Sequence, residues 1–164
     1  MADGGASSFI MLITALLVSG SASAILISEW SDAARFMQTT ERYNRYASEI
    51  SVEFSGDPMM VTYDPNGASD DYIIFHVLNS GVHTLDSNYE VRIDGVSPDS
   101  ISTSLFPGGT SWLPDYVLAV NVSDPSFNYV DGTDIKIYFL VNSKAVGGHV
   151  YSADFSTEVR LHEI

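Results

Sequence analysis

The sequence predicts a chain of two unlike parts, a long N-terminal helix followed by an all-β domain, on three observations. No ionisable side chain occurs between Asp3 and Glu29. From Glu29 to about Ile50 apolar residues recur at alternating spacings of four and three, with no Gly or Pro among them. After Gly56-Asp57-Pro58 the period becomes two, and aromatic and β-branched runs alternate with turn residues. The change of period from 3.6 to 2 marks the change of element type.

The uncharged run spans Gly4 to Ser28, and its apolar part from about Ala6 to Ile27 would reach roughly 33 Å as a helix, enough for a hydrocarbon core of about 30 Å. Residues 1–28 are therefore expected to form a transmembrane helix. Phe9, Ile10, Met11, Leu12, Ile13, Leu16, Leu17, Val18 and Ile25 supply its apolar bulk. Small residues recur at Ala15, Ser19 and Ser23, and at Gly20 and Ala24, a spacing that lets two helix backbones approach closely in lipid. Cleavage as a secretory signal, after Ala22 or Ala24, is the rival reading. Two features oppose it: no Lys or Arg precedes the run, and Ile25-Leu26-Ile27 carries it past the cut. Prepilin-type processing would want a basic residue where this chain has Asp3-Gly4-Gly5.

Residues 29–50 are expected to continue the helix as an amphipathic stalk, with Leu26, Trp30, Ala33 and Met37 on one stripe and Phe36, Thr40, Tyr43, Ala47 and Ile50 on another. Asp32 with Arg35, Glu41 with Arg45, and Arg45 with Glu49 lie at helix-neighbour spacing. Such a stripe serves either to pack the stalk on its own domain or to meet equivalent helices of neighbouring subunits.

Residues 51–164 read as eight strands, over about 50–54, 59–63, 72–78, 89–93, 100–105, 116–122, 135–141 and 150–161, the last possible as two pieces. Asp64-Pro65-Asn66-Gly67, Asn79-Ser80-Gly81, Asp94-Gly95, Pro107-Gly108-Gly109, Asp131-Gly132 and Gly147-Gly148 supply turn chemistry between them. Short strands at this density suggest an immunoglobulin-like antiparallel sandwich, without the Cys…Trp…Cys pattern of true immunoglobulin domains.

Composition narrows the function. The chain has 21 acids and 7 bases, a net charge of −14, yet its mean hydropathy is +0.09. Residues 51–164 carry 16 acids and 4 bases, so the acidity belongs to the β-domain and the apolar excess to the helix. That balance disfavours nucleic acid and anionic lipid as partners of a basic patch. Without cysteine there is no disulfide, thiol nucleophile or thiolate metal site. His76, His83, His149 and His162 fall into no ligand or catalytic spacing, so no enzyme, cofactor, metal or small-molecule substrate is expected. Asp64, Asn66, Asp70 and Asp71 offer oxygen ligands in one loop, but their spacing departs from an EF-hand and reads as a solvated turn. Asn121-Val122-Ser123 is an N-glycosylation sequon. Trp112, Tyr116 and Tyr129, if exposed, would suit carbohydrate stacking, although such residues in sandwiches usually pack the core. Arg35, Arg42 and Arg45 after the membrane run would by simple count place the β-domain in the cytoplasm, but they are interleaved with acids.

A helix-then-sandwich plan is that of type IV pilin-like proteins, and three stretches resemble the archaellum (archaeal flagellum) accessory family FlaG. These are Ser8 to Val18 with the small residues and Ile25-Leu26 that follow; Glu49-Ile50-Ser51-Val52 with Asp57-Pro58; and Phe75-His76-Val77-Leu78-Asn79-Ser80-Gly81 with Thr84-Leu85-Asp86. They fall within residues 8–86, about half the chain, and their order and spacing carry the likeness. The resemblance implies a non-enzymatic stator component, single-pass in the cell membrane with its β-domain outside, beneath the S-layer. It also implies self-association and a FlaF-like partner that contacts the S-layer. The alternative is a pilus or archaellum filament subunit whose helix packs in a filament core.

Overall fold

The structure, a computed structural model, describes residues 4–65 and 71–164. It contains one helix followed by a β-rich domain whose sheet curls on itself. The helix α1 runs Gly4–Ser48, 45 residues or roughly 67 Å at the α-helical rise. Two compact units result, one ending at Asn44 and the other spanning Arg45–Ile164.

Eight strands follow: β1 Val52–Ser55, β2 Val61–Asp64, β3 Tyr72–Asn79, β4 Leu85–Ile93, β5 Ser100–Phe106, β6 Val117–Ser123, β7 Asp134–Ser143 and β8 Ser152–Glu163. Each coincides with an expected strand to within a few residues, and β8 is continuous. Alternation decides the faces: β3 and β6 bury every second residue, as does β7 from Ile135 to Ser143.

The strand order is β4-β7-β8-β2-β3-β6-β5, with β1 also paired to β3. Most pairs are antiparallel, as expected. One is parallel: β2 lies beside the end of β8, with Val61 opposite Leu161 and Tyr63 opposite Glu163. About 90 residues separate these strands, so no tight hairpin dictates their relative direction, and β8 arrives from the far side of β7. This corrects the purely antiparallel expectation.

Tight turns form where the sequence marks them. Asp94 and Gly95, with φ of 51° and 84°, close a two-residue hairpin in which Ile93 and Val96 exchange both backbone hydrogen bonds. Gly147 and Gly148, with φ of 59° and 84°, do the same between Val146 and His149.

Curling brings the inner faces of distant strands together. Phe75 of β3 meets Phe139 of β7 edge to face, with ring centroids 6.5 Å apart. Phe139 also contacts Tyr89, Trp112 and Phe155 at 5.7–6.0 Å. Tyr63, fully buried, donates its hydroxyl hydrogen to Asp71 and accepts from the Tyr129 amide. Burial, reinforced by the Asp71 carboxylate, pushes that phenol up to about 12, so it stays neutral.

Candidate functional site

The candidate residues fall in two places, the apolar run of α1 and the helix end that lies within the strand-bearing unit. Each residue from Gly5 to Arg45 is exposed along α1. The bulky residues of the first half, Phe9, Ile10, Leu12, Ile13, Leu16, Leu17 and Ile25, lie in one uninterrupted helix with the small residues Ala15, Ser19, Gly20, Ser23 and Ala24. In water so much exposed apolar surface would be strongly unfavourable. Its length and composition are enough to cross a membrane. Two hydroxyls inside the run are satisfied by the helix itself: Thr14 donates to the Ile10 carbonyl at 2.8 Å and Ser21 to the Val18 carbonyl at 2.9 Å.

The stalk residues Trp30, Phe36, Met37 and Tyr43 are exposed as well, Trp30 by 77%. Their stripe is available to lipid or to other helices. Of the three expected charge pairs, Arg45 with Glu49 forms, at 3.7 Å, while the other two are absent among the described residues. Both pairs that fail lie wholly in exposed helix, where water competes with the ion pair.

The strand-bearing unit begins at Arg45, so the last turn of α1 belongs to it. A helix end leaves carbonyls without intrahelical partners. Here the turn after β3 supplies a donor: the Val82 amide donates to the Glu49 carbonyl at 2.9 Å, and the Gly81 amide donates to the Ser51 carbonyl at 3.1 Å. Ser80 adds a hydroxyl bond to Ser51 at 3.0 Å. A Cβ on Gly81 would stand 2.7 Å from both the Glu49 carbonyl oxygen and the Ser51 nitrogen, closer than real contacts allow. Glycine is required there by proximity.

Asn79 organises this turn from a fully buried position. Its amide donates to the carbonyls of His83 at 2.9 Å and Trp112 at 3.2 Å, and its side-chain oxygen accepts from the Gly81 amide at 3.2 Å. His83 reaches back to Glu49, with Nε2 2.8 Å from the carboxylate. Tyr46, under the Arg45 guanidinium, packs against His83 and Tyr151, both at 6.1 Å. Gly147 lies close enough that a Cβ would meet the Tyr46 ring at 3.2 Å. Glu49-Ile50-Ser51-Val52 and Asn79-Ser80-Gly81, thirty residues apart in sequence, thus meet directly.

Other sequence candidates do not converge. The aromatic platform fails: Trp112 is 4% exposed with its indole nitrogen donating to the Tyr116 carbonyl, and Tyr116 and Tyr129 pack partly buried against the core. Asn66 and Asp70 of the acidic loop lie outside the described residues, and Asp71 accepts from Tyr63. Among the described residues, no three His, Asp or Glu side chains gather as a metal site. Asn121 sits on the outer face of β6, half-buried between Ile74 and Ser102.

Sequence reasoning missed the pocket between the two strands at the ends of the sheet order. It holds about 470 Å³ and is lined by Tyr89, Thr103, Leu105, Trp112 and Lys144 among others. A double residue excess in β4 between Leu85 and Tyr89 opens it. Comparison with known protein families and with curated proteins finds no match for the chain.

Proposed function

We propose that this protein is a non-enzymatic, membrane-anchored structural component of the archaellum, of FlaG type, with an immunoglobulin-like sandwich as its outer domain. One observation carries the reading: an exposed apolar helix is followed without interruption by a turn that is hydrogen-bonded to an acidic β-domain. An anchor that resists torque must resist twisting where helix meets domain, and a lone membrane helix would be dragged through lipid. The direct contact of two stretches that resemble the family supports the assignment, since each makes sense as half of one joint.

In this reading the domain lies outside the cell beneath the S-layer, self-associates, and binds a FlaF-like partner. A net charge of −12 on residues 51–164 suits an ion-rich exterior more than an anionic lipid face. The experiment is to shear filaments from cells and assay both fractions for this chain, then to score swimming in a deletion strain. A stator stays with the membrane and its loss abolishes swimming while filaments persist. Recovery of the chain as the main component of sheared filaments would identify it as a filament subunit instead, the role for which the exposed stalk stripe of Trp30, Phe36 and Met37 is the supporting feature.

A further inference from the structure

The strands at the two ends of the sheet order, β4 and β5, do not pair with one another, yet the curl of the sheet brings both to one pocket. Two hydrogen bonds bridge the gap there. The Leu85 amide donates to the Trp112 carbonyl, beyond the end of β5, at 2.9 Å, and the Tyr89 and Thr103 hydroxyls share a bond at 3.2 Å. Between Leu85 and Tyr89 the β4 strand carries two residues more than β7, since Leu85 lies opposite Ser143 and Tyr89 opposite Val141. The pocket opens at this departure. Its volume of about 470 Å³ falls within the range of small-ligand sites, about 300 to 1,000 Å³.

Its lining is graded by depth. Leu85, Trp112 and Leu118 are buried and form the floor, whereas Ser87, Thr103, Ser104 and Thr110 are exposed and form the rim. The bond between Tyr89 and Thr103 uses one of their two O–H groups and leaves the other as a donor. Two charges of opposite sign complete the lining, Asp86 and Lys144. The Asp86 carboxylate accepts from the Ser87 amide at 2.8 Å and has acceptor capacity to spare. The Lys144 backbone is fixed by its amide, which donates to the Thr84 carbonyl at 3.0 Å, and its ammonium meets a neutral hydroxyl, that of Ser111, at 3.4 Å. In this it differs from Arg92 and Arg160, which are paired with Glu90 and Asp134.

We propose that this pocket binds a neutral sugar residue, with the ring against the apolar floor and its hydroxyls on the polar rim. Charge selects a neutral ligand. One carboxylate and one ammonium cancel within the lining, and the net −12 of residues 51–164 repels anions at longer range. A metal ion has no seat there, since among the described residues no three His, Asp or Glu side chains converge. A wholly apolar ligand would cover Asp86, Lys144 and the rim hydroxyls without replacing their water, which is costly. Sugar hydroxyls both donate and accept, so one can donate to Asp86 while its neighbour accepts from Lys144, and the C–H face of the ring covers the floor. The inference goes beyond the reading above and rests on it only for placing the pocket outside the cell.

The test uses the full chain in lipid nanodiscs, free of sugar-headed detergent. Glucose, galactose, mannose and N-acetylglucosamine are titrated singly by calorimetry, and the same nanodiscs are applied to an array of glycans that end in those residues or in glucuronate. At least one neutral sugar is expected to bind with a millimolar or lower Kd that is unchanged between about 50 and about 500 mM salt, because no ion pair forms. Asp86→Ala and Lys144→Ala should each weaken binding about tenfold or more, through the lost charge-assisted hydrogen bond, with little change in melting midpoint. Lys136→Ala, on the exposed face of β7 outside the pocket, should leave it intact. Binding of free sugar alone identifies a monosaccharide as the ligand, and binding on the array as well identifies a glycan end; both uphold the site. No neutral sugar bound in either format, affinity undiminished in both pocket variants, or binding confined to glucuronate and lost in salt would overturn it. The swimming and shearing assays read the stator role separately, since sugar binding by the purified chain does not depend on it.

Discussion

Replacing Gly81 by Ala should destabilise this protein, because among the described glycines it is the one at which an added Cβ would stand under 3 Å from other atoms. The residue has no positive φ, so alanine suits its backbone and, by narrowing the unfolded ensemble, would otherwise stabilise by about 0.4 to 1 kcal/mol. Contact reverses the sign. The new carbon would stand 2.7 Å from the Glu49 carbonyl oxygen and from the Ser51 nitrogen, backbone atoms that no rotamer change can move aside. Overpacking of this kind costs about 1 to 3 kcal/mol. Separating the segments also weakens the bonds from Gly81 to Ser51 and from Val82 to Glu49, worth about 1 kcal/mol each. The net loss comes to about 2 to 3 kcal/mol. Unfolding entropy near 2.1 cal/mol/K per residue gives about 0.25 kcal/mol/K for a unit of about 120 residues, so the midpoint should fall by roughly 8 to 12 °C. The assay is thermal unfolding of the full chain in detergent, followed by near-ultraviolet circular dichroism. Ser80→Ala, which loses only a partly exposed hydroxyl bond to Ser51, should move the midpoint by under about 4 °C and serves as the comparison. A midpoint for Gly81→Ala unchanged within about 3 °C, or raised, would refute the close-approach argument.

Other substitutions test other parts. Asn79→Ala leaves the His83 carbonyl without its donor and removes one of two bonds at the Trp112 carbonyl and at the Gly81 amide, which keep the Leu85 amide and the Ser51 carbonyl; it should cost about 1 to 3 kcal/mol in the same melting assay, and a loss below about 0.5 kcal/mol would count against Asn79 as the organiser of the turn. The Asp124 carboxyl is held below its usual range by hydrogen bonds, chiefly from the Ser126 hydroxyl and amide and also from the Asp99 amide, which outweigh the opposing effect of burial. Its folded pKa therefore lies below an unfolded value near 3.9, so its contribution is full well above that pH and is lost as pH falls through the folded pKa. The melting-point gap between wild type and Asp124→Asn should accordingly narrow from pH 6 to pH 3, and parallel curves would dismiss the role. Leu17→Arg places a charge within the uncharged run at about 2.5 to 3.5 kcal/mol if that segment crosses lipid centrally. Carbonate extraction should then release a larger soluble fraction than for wild type, and an unchanged distribution would argue against a membrane span.

Local chemistry was legible in the sequence wherever a single element decides it. The absence of charge from Gly4 to Ser28 and of Gly and Pro from Glu29 to Ile50 was enough for one continuous helix, because helical hydrogen bonds close within four residues. Period-two burial and turn residues such as Asp94-Gly95 and Gly147-Gly148 located the strands for the same reason. Pairing is different, since it joins residues with nothing but loop between them to set direction or order. Hence the parallel β2 to β8 contact, the inward turn of Trp112, and the seating of Gly81 on the helix end could be seen only once the chain had folded. The neutrality of Ser100 to Phe106 was equally visible in the sequence, but its neighbours were not. Only the tertiary structure set that strand beside two others without Asp, Glu, Lys or Arg and brought Thr103 to the Tyr89 hydroxyl, because which strands meet depends on where every other strand has gone.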